Sequence, residues 1–255
     1  MGAHFLNKPC TIVLLKETVG LAIKPGGISD YKEVCYSDKR WVLLAELREK
    51  ALKIMVALGD SRLGSVTYGS IARGDVTSHS DVDVFVSEVQ SSFLVESALE
   101  KAGIKVCRRL AVQATPNYAM KAHLEIDEVT SVSFPLISMR RVEREFYKFG
   151  GEVTRSQIGD KVRVKGVDKR LMLIEPTECG HLESSIVGKE EQVAKMLGIA
   201  YETVSDRTHT LLRRNVVGRT GVFVKKELGE DETFELVLKK LADRNPAVRR
   251  RLKEA

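Results

Sequence analysis

The clearest periodic pattern lies between Ser37 and Leu58, where Trp41, Leu44, Leu47, Leu52, Met55 and Leu58 recur on one broad apolar face. Ser37 or Asp38 is placed to accept from the free N–H groups of the first turn, and Gly59 ends the helix. Strand patterns follow at Ser65–Tyr68 and, with strict alternation, at Asp81–Val86. Ser92–Ala102 reads as a helix stopped by Gly103. Strands near 104–114 and 118–127 flank a turn at Thr115-Pro-Asn117. Arg140–Phe149 reads as a helix ending at Gly150-Gly151. Short strands are then expected at Val162–Lys165, Arg170–Glu175 and His181–Val187, and helices at Lys189–Leu197 and Tyr201–Arg214. Val216–Leu228 reads as a hairpin around Gly218–Gly221, and a last helix begins near Asp231 and runs into the basic tail Arg249–Lys253. Thr11–Leu15 is a candidate strand in an otherwise uninformative start.

These elements predict an N-terminal segment over 1–36 and a mixed-sheet domain over 37–150. A short β-rich connection over 151–188 and a C-terminal helical module over 189–255 complete the expected α+β chain. Composition narrows the class. The chain has 255 residues, 43% hydrophobic and 30% charged, which fits a folded globular protein. Lys and Arg number 41 against 35 Asp and Glu, giving a net charge of +6 that permits a polyanionic partner without specifying one. No segment approaches the roughly 20 apolar residues of a membrane span, and the start lacks a signal peptide's layout, so no membrane partner is expected. Cys10, Cys35, Cys107 and Cys179 are far apart without CxxC spacing, which points to a reducing, cytoplasmic setting. Cys179 and His181 alone do not make a metal site.

The chemistry concentrates in Val66–Val86. Asp81 and Asp83 are two apart on a strand, so both carboxylates project from one face with Cα atoms roughly 6.5–7 Å apart. Such a pair repels unless a cation neutralises it, and its hard oxygen donors favour Mg2+ or Mn2+. Upstream, Gly69 allows close approach of a phosphate, Ser70 adds a hydroxyl, and Arg73 is a candidate phosphate contact with Asp75 as its competing ion-pair partner. His79 reads as an exposed turn residue.

Gly69-Ser70-x-Ala72-Arg73-Gly74 followed by Ser80-Asp81-x-Asp83 resembles the polymerase-beta-like nucleotidyltransferase superfamily, and its minimal branch above all. The resemblance implies transfer of a nucleoside monophosphate from an NTP to a hydroxyl acceptor with release of pyrophosphate. It implies two Mg2+ or Mn2+ ions on Asp81, Asp83 and a third carboxylate. Lys121–Asp127 offers Glu125 as first choice, with Asp127 as the alternative. Gly69 and Ser70 would hold the β- and γ-phosphates, joined by Arg73.

Residues 189–228 resemble a winged helix-turn-helix. Thr203, Ser205 and Arg207 lie on the outward side of its second helix and Arg219 at the wing tip, and these are the candidate contacts to duplex nucleic acid. Two alternatives accompany the transferase reading. One is a winged-helix DNA-binding regulator whose front domain senses nucleotides without turnover. The other is a protein-modifying, adenylylating transferase of the antitoxin kind, with a protein as acceptor.

Overall fold

The computed structural model describes residues 31–218 and 221–254. The strand expected at Thr11–Leu15 and the wing residue Arg219 lie outside these residues.

The chain enters through β1 (Lys32–Cys35) and the long helix α1 (Asp38–Asp60), then β2 (Ser65–Tyr68), the short α2 (Ser70–Arg73) and β3 (Val82–Val86). Next come α3 (Ser92–Lys101), β4 (Arg108–Gln113), β5 (Lys121–Glu125), β6 (Thr130–Pro135) and α4 (Arg141–Phe149). The middle holds β7 (Glu152–Thr154), α5 (Arg155–Gly159), β8 (Gly166–Val167), β9 (Met172–Thr177) and β10 (Gly180–Ser185). It ends with α6 (Glu190–Leu197), α7 (Tyr201–Val217), β11 (Val224–Glu227), α8 (Phe234–Arg244) and α9 (Pro246–Lys253).

Two sheets organise these elements. The larger runs β11-β4-β5-β6-β3-β2-β7 and is mixed, because β3 and β6 are parallel while its other pairs are antiparallel. The smaller runs β1-β10-β9-β8 and is antiparallel throughout. The alternation of β3 decides the layering. Val82, Val84 and Val86 have no exposed surface and pack into a core with Leu44, Leu58, Val95 and Leu99 of α1 and α3. Asp83 and Phe85 therefore project from the opposite face. There Phe85 stacks on Tyr147 of α4 with ring centroids 3.7 Å apart, which holds α4 across the sheet beside the acidic pair.

Among the described residues the wing hairpin expected over 216–228 is not formed. Helix α7 continues to Val217, and Val224–Glu227 joins the large sheet as an edge strand paired with β4. Burial of Leu228 and Phe234 explains the outcome, since both complete the large sheet's core together with Val237, Leu238, Ala242 and Val248. Lone β11 at a sheet edge is better paired than a hairpin standing in water. The last two helices are thus part of the sheet domain rather than of a separate module.

Helices α6 and α7 pack together across a short turn, with Gly198 in the left-handed region there (φ 62°). Their apolar positions Val193, Ala194, Ile199, Val204 and Leu211 share a second core with Phe149 of α4 and with Val167, Leu173 and Ile186. The expected connection over 151–188 and the helix pair therefore stand on one another. From Tyr31 onward the chain forms one compact unit, so the boundaries expected at 150 and 188 are not breaks in packing.

Candidate active site

Between the large sheet, the small sheet and α7 lies a cleft of about 340 Å³, lined by Gly69, Ser70, Arg73, Asp81, Asp83, Lys169 and Arg207 among others. Its floor comes from Val66–Val86. At Gly69 the backbone turns with φ 77° and ψ −143°, a conformation open to glycine and closed to residues with a Cβ. This turn is held from behind, since its N–H donates to the carbonyl of Gly151 at 2.9 Å. Gly166 of β8 sits against the same double glycine so closely that a Cβ there would meet Gly150 and Gly151 backbone atoms at about 2.5–2.6 Å. The double glycine, legible in the sequence as a boundary, is a wall of the site.

The Ser70 hydroxyl donates to that of Ser80 at 3.0 Å, and the Thr77 N–H donates to Ser80 at 2.9 Å. These bonds close the loop between the glycine turn and the acidic strand, bringing Ser70 beside the acidic pair. Asp81 is exposed and stands just before the first residue of β3, whereas Asp83 is half-buried within it. Burial raises the Asp83 carboxyl above the usual range and repulsion from Asp81 adds to this. A hydrogen bond from Ser131 and the positive charge of Lys169 oppose it.

The donor set fits a hard divalent ion through these two carboxylates, with the remaining positions left to a ligand or water. It does not assemble the expected third acid. Glu125 lies in line with Asp83 across the sheet but on β5, with Ser131 of β6 between them. Arg108 holds Glu125 at 3.2 Å in an ion pair that also takes in Glu227 of β11. Asp127 sits in the following turn and accepts from the Val129 N–H at 2.9 Å. Neither lines the cleft. On the strand next to Asp83 the facing residue is Ser131, whose hydroxyl donates to the Asp83 carboxylate at 2.7 Å. Among the described residues, the one cluster of three metal-ligating side chains lies elsewhere, at Glu33, Cys35 and Cys179.

Arg73 also departs from its expected role. It is buried, and its guanidinium donates to the carbonyls of Gly150 at 2.5 Å and Val167 at 3.5 Å and to Asp75 at 2.9 Å. It bolts the glycine turn to the small sheet, and the competing ion pair with Asp75 is formed. Further cations lining the cleft come from later in the chain. Lys169, in the turn between β8 and β9, is exposed and close enough to Asp83 to lower its carboxyl's pKa.

Arg207 of α7 lines the cleft with its guanidinium carbon 4.7 Å from the Phe146 ring centroid. Its Nε is buried without a hydrogen-bond partner among the described residues, and burial followed by repulsion from Arg214 lowers its pKa. Thr203, expected on the outward face with it, is buried and donates to Glu145 of α4 at 2.6 Å. Ser205 is half-buried and lies 3.4 Å from His209 Nδ1. Helix α7 therefore turns Thr203 and Arg207 toward the sheet domain. They are not available as an outward reading face.

A mixed sheet flanked by helices, with a glycine turn and an acidic strand opening on one cleft, defines a nucleotidyltransferase-like protein. Residues 48–189 match the family described as nucleotidyltransferase domain, more than half of the 255-residue chain, and the chain belongs to that family. Among curated proteins none matches. Among the described residues no helix is long and apolar enough to cross a membrane.

Proposed function

We propose that the chain transfers a nucleoside monophosphate from an NTP to a hydroxyl acceptor, with pyrophosphate as the leaving group. The observation that carries this reading is the joint exposure of Gly69–Ser70 and of Asp81–Asp83 to one cleft. Asp81 and Asp83 would hold Mg2+ or Mn2+, which when bound supplies charge neutralisation of the triphosphate and polarisation at phosphorus. The Gly69 turn lets phosphate oxygens approach the backbone, and the Ser70 hydroxyl lies beside them. Lys169 and Arg207 bring positive charge from the facing wall, where a triphosphate's negative oxygens would lie. Pinning of Ser70 to Ser80 and of Arg73 to Gly150 fixes these parts before substrate arrives, so little ordering remains for binding.

Pyrophosphate release from each NTP in the presence of Mg2+ or Mn2+ tests the reading. Transfer of an α-phosphate label to an added hydroxyl compound, a polypeptide or the chain itself identifies the acceptor class.

A second reading is favoured by Ser131. With serine opposite Asp83, β6 offers no carboxylate at this position to take the acceptor's proton. The cleft would then bind a metal–NTP complex without turnover, as a sensor. Nucleotide binding without pyrophosphate release selects it.

A further inference from the structure

We propose that Glu33, Cys35 and Cys179 form a second metal site, selective for a thiophilic ion of the zinc class. Its position in the fold is specific. Glu33 and Cys35 alternate on β1 and so share one face of that strand, while Cys179 occupies the turn between β9 and β10. Pairing of β1 with β10 sets Cys35 opposite Gly180, and the Tyr36 N–H donates to the Cys179 carbonyl at 2.8 Å. Backbone bonds thus bring the hairpin tip to the strand independently of the thiols.

The side chains follow. Cys35 Sγ and Cys179 Sγ are 2.8 Å apart, and Cys179 Sγ is 3.5 Å from Glu33 Oε1. The ligand atoms of all three residues lie within 4.8 Å of one another. Zn–S bonds of about 2.3 Å in a tetrahedron place two sulfurs roughly 3.7 Å apart, so the thiols need part by only about 1 Å to admit the ion. A carboxylate oxygen of Glu33 supplies the third ligand. Two sulfurs select zinc over the hard ions suited to Asp81 and Asp83. His181, two residues after Cys179, is outside the cluster of converging ligand atoms, and its Nδ1 lies 2.6 Å from the Tyr36 hydroxyl. The bound ion would clip the first strand to the β9–β10 hairpin, in a sheet whose β8–β9 turn carries Lys169 into the cleft. Uptake exchanges the two thiol protons for one divalent cation, with no change of oxidation state.

The test uses the full chain, reduced and stripped with a chelator, then titrated with Zn2+ against a chromophoric chelator. One equivalent should bind, and Co2+ in its place should give a sulfur-to-metal charge-transfer band. Cys35→Ser and Cys179→Ser should each weaken Zn2+ binding by at least about 100-fold and Glu33→Gln by about 10-fold. Cys107→Ser and Asp83→Asn should leave it unchanged, which separates this site from the nucleotide cleft. Circular dichroism on each variant confirms the fold, and Glu33→Gln, an exposed change, reads out the site even if a cysteine variant unfolds. Zinc uptake that is absent, or that is equal in wild type, Cys35→Ser and Cys179→Ser, overturns the proposal.

Discussion

The hydroxyl of Ser131 donates to the carboxylate of Asp83 across the parallel pair of β6 and β3 at 2.7 Å. That bond adds a side-chain link to the backbone ladder between the two strands and partly offsets the effect of burial on Asp83. Replacing it with Ser131→Ala should therefore raise the Asp83 pKa further. Metal binding requires the ionised carboxylate, so its onset should move to higher pH. Mn2+ titrations over a pH series check this, and an unchanged onset would show that the bond does not tune the site.

Asp83 also predicts a pH dependence of stability. Its carboxyl is raised in the folded chain, so the unfolded chain ionises first and folding loses stability as pH rises from about 3.8 through the folded value. Asp83→Asn keeps an acceptor for Ser131 and removes this loss. In metal-free buffer the variant should melt at or above the wild-type temperature near neutral pH, with the difference vanishing in acid. Thermal melts at several pH values measure it. A variant less stable than wild type at neutral pH would mean that Asp83 serves packing rather than ligand binding.

Arg73 should behave as a structural residue. Its ion pair with Asp75 leaves the two side chains 6% and 10% exposed, and two carbonyls share the same guanidinium. Arg73→Ala leaves Asp75 and those carbonyls without a partner, at a cost of about 3–5 kcal/mol. Arg73→Lys should recover part of this only, because one ammonium cannot reproduce the planar fork. Chemical denaturation of both variants decides it. Wild-type stability with weakened nucleotide binding would restore Arg73 to phosphate contact.

Arg207 should do the reverse. Arg207→Gln removes a cleft charge whose Nε has no hydrogen-bond partner among the described residues, so the fold should hold. The apparent affinity for NTP should fall by about 10-fold or more, the scale of a charge-assisted hydrogen bond. Calorimetric titration with a metal–NTP complex measures this, and equal affinity in wild type and variant would return Arg207 to a packing role against Phe146.

Local sequence carried the centre of the site and little of its surroundings. Asp81, Asp83, Gly69 and Ser70 were legible because strand alternation and a glycine turn act over a few residues, and the structure places all four on one cleft. Strand β11 was not legible, since its partner β4 lies more than a hundred residues upstream and a hairpin satisfies the same local pattern. The third-acid candidates Glu125 and Asp127 lie on β5 and in its turn, whereas the strand paired with β3 is β6, which sets Ser131 opposite Asp83. Lys169 and Arg207 carry no local signature of a phosphate site. They reach the cleft through packing of the small sheet and α7 against α4, which no short window of sequence encodes.

The most direct test of the central claim is calorimetric binding of each NTP with Mn2+ to the wild-type chain and to the Asp81→Asn, Asp83→Asn double variant. Wild type should bind one metal-dependent NTP per chain, and the folded double variant should lose at least about 100-fold in affinity. Binding that is absent for all four NTPs, or equal in the two proteins, would contradict the assignment of this cleft.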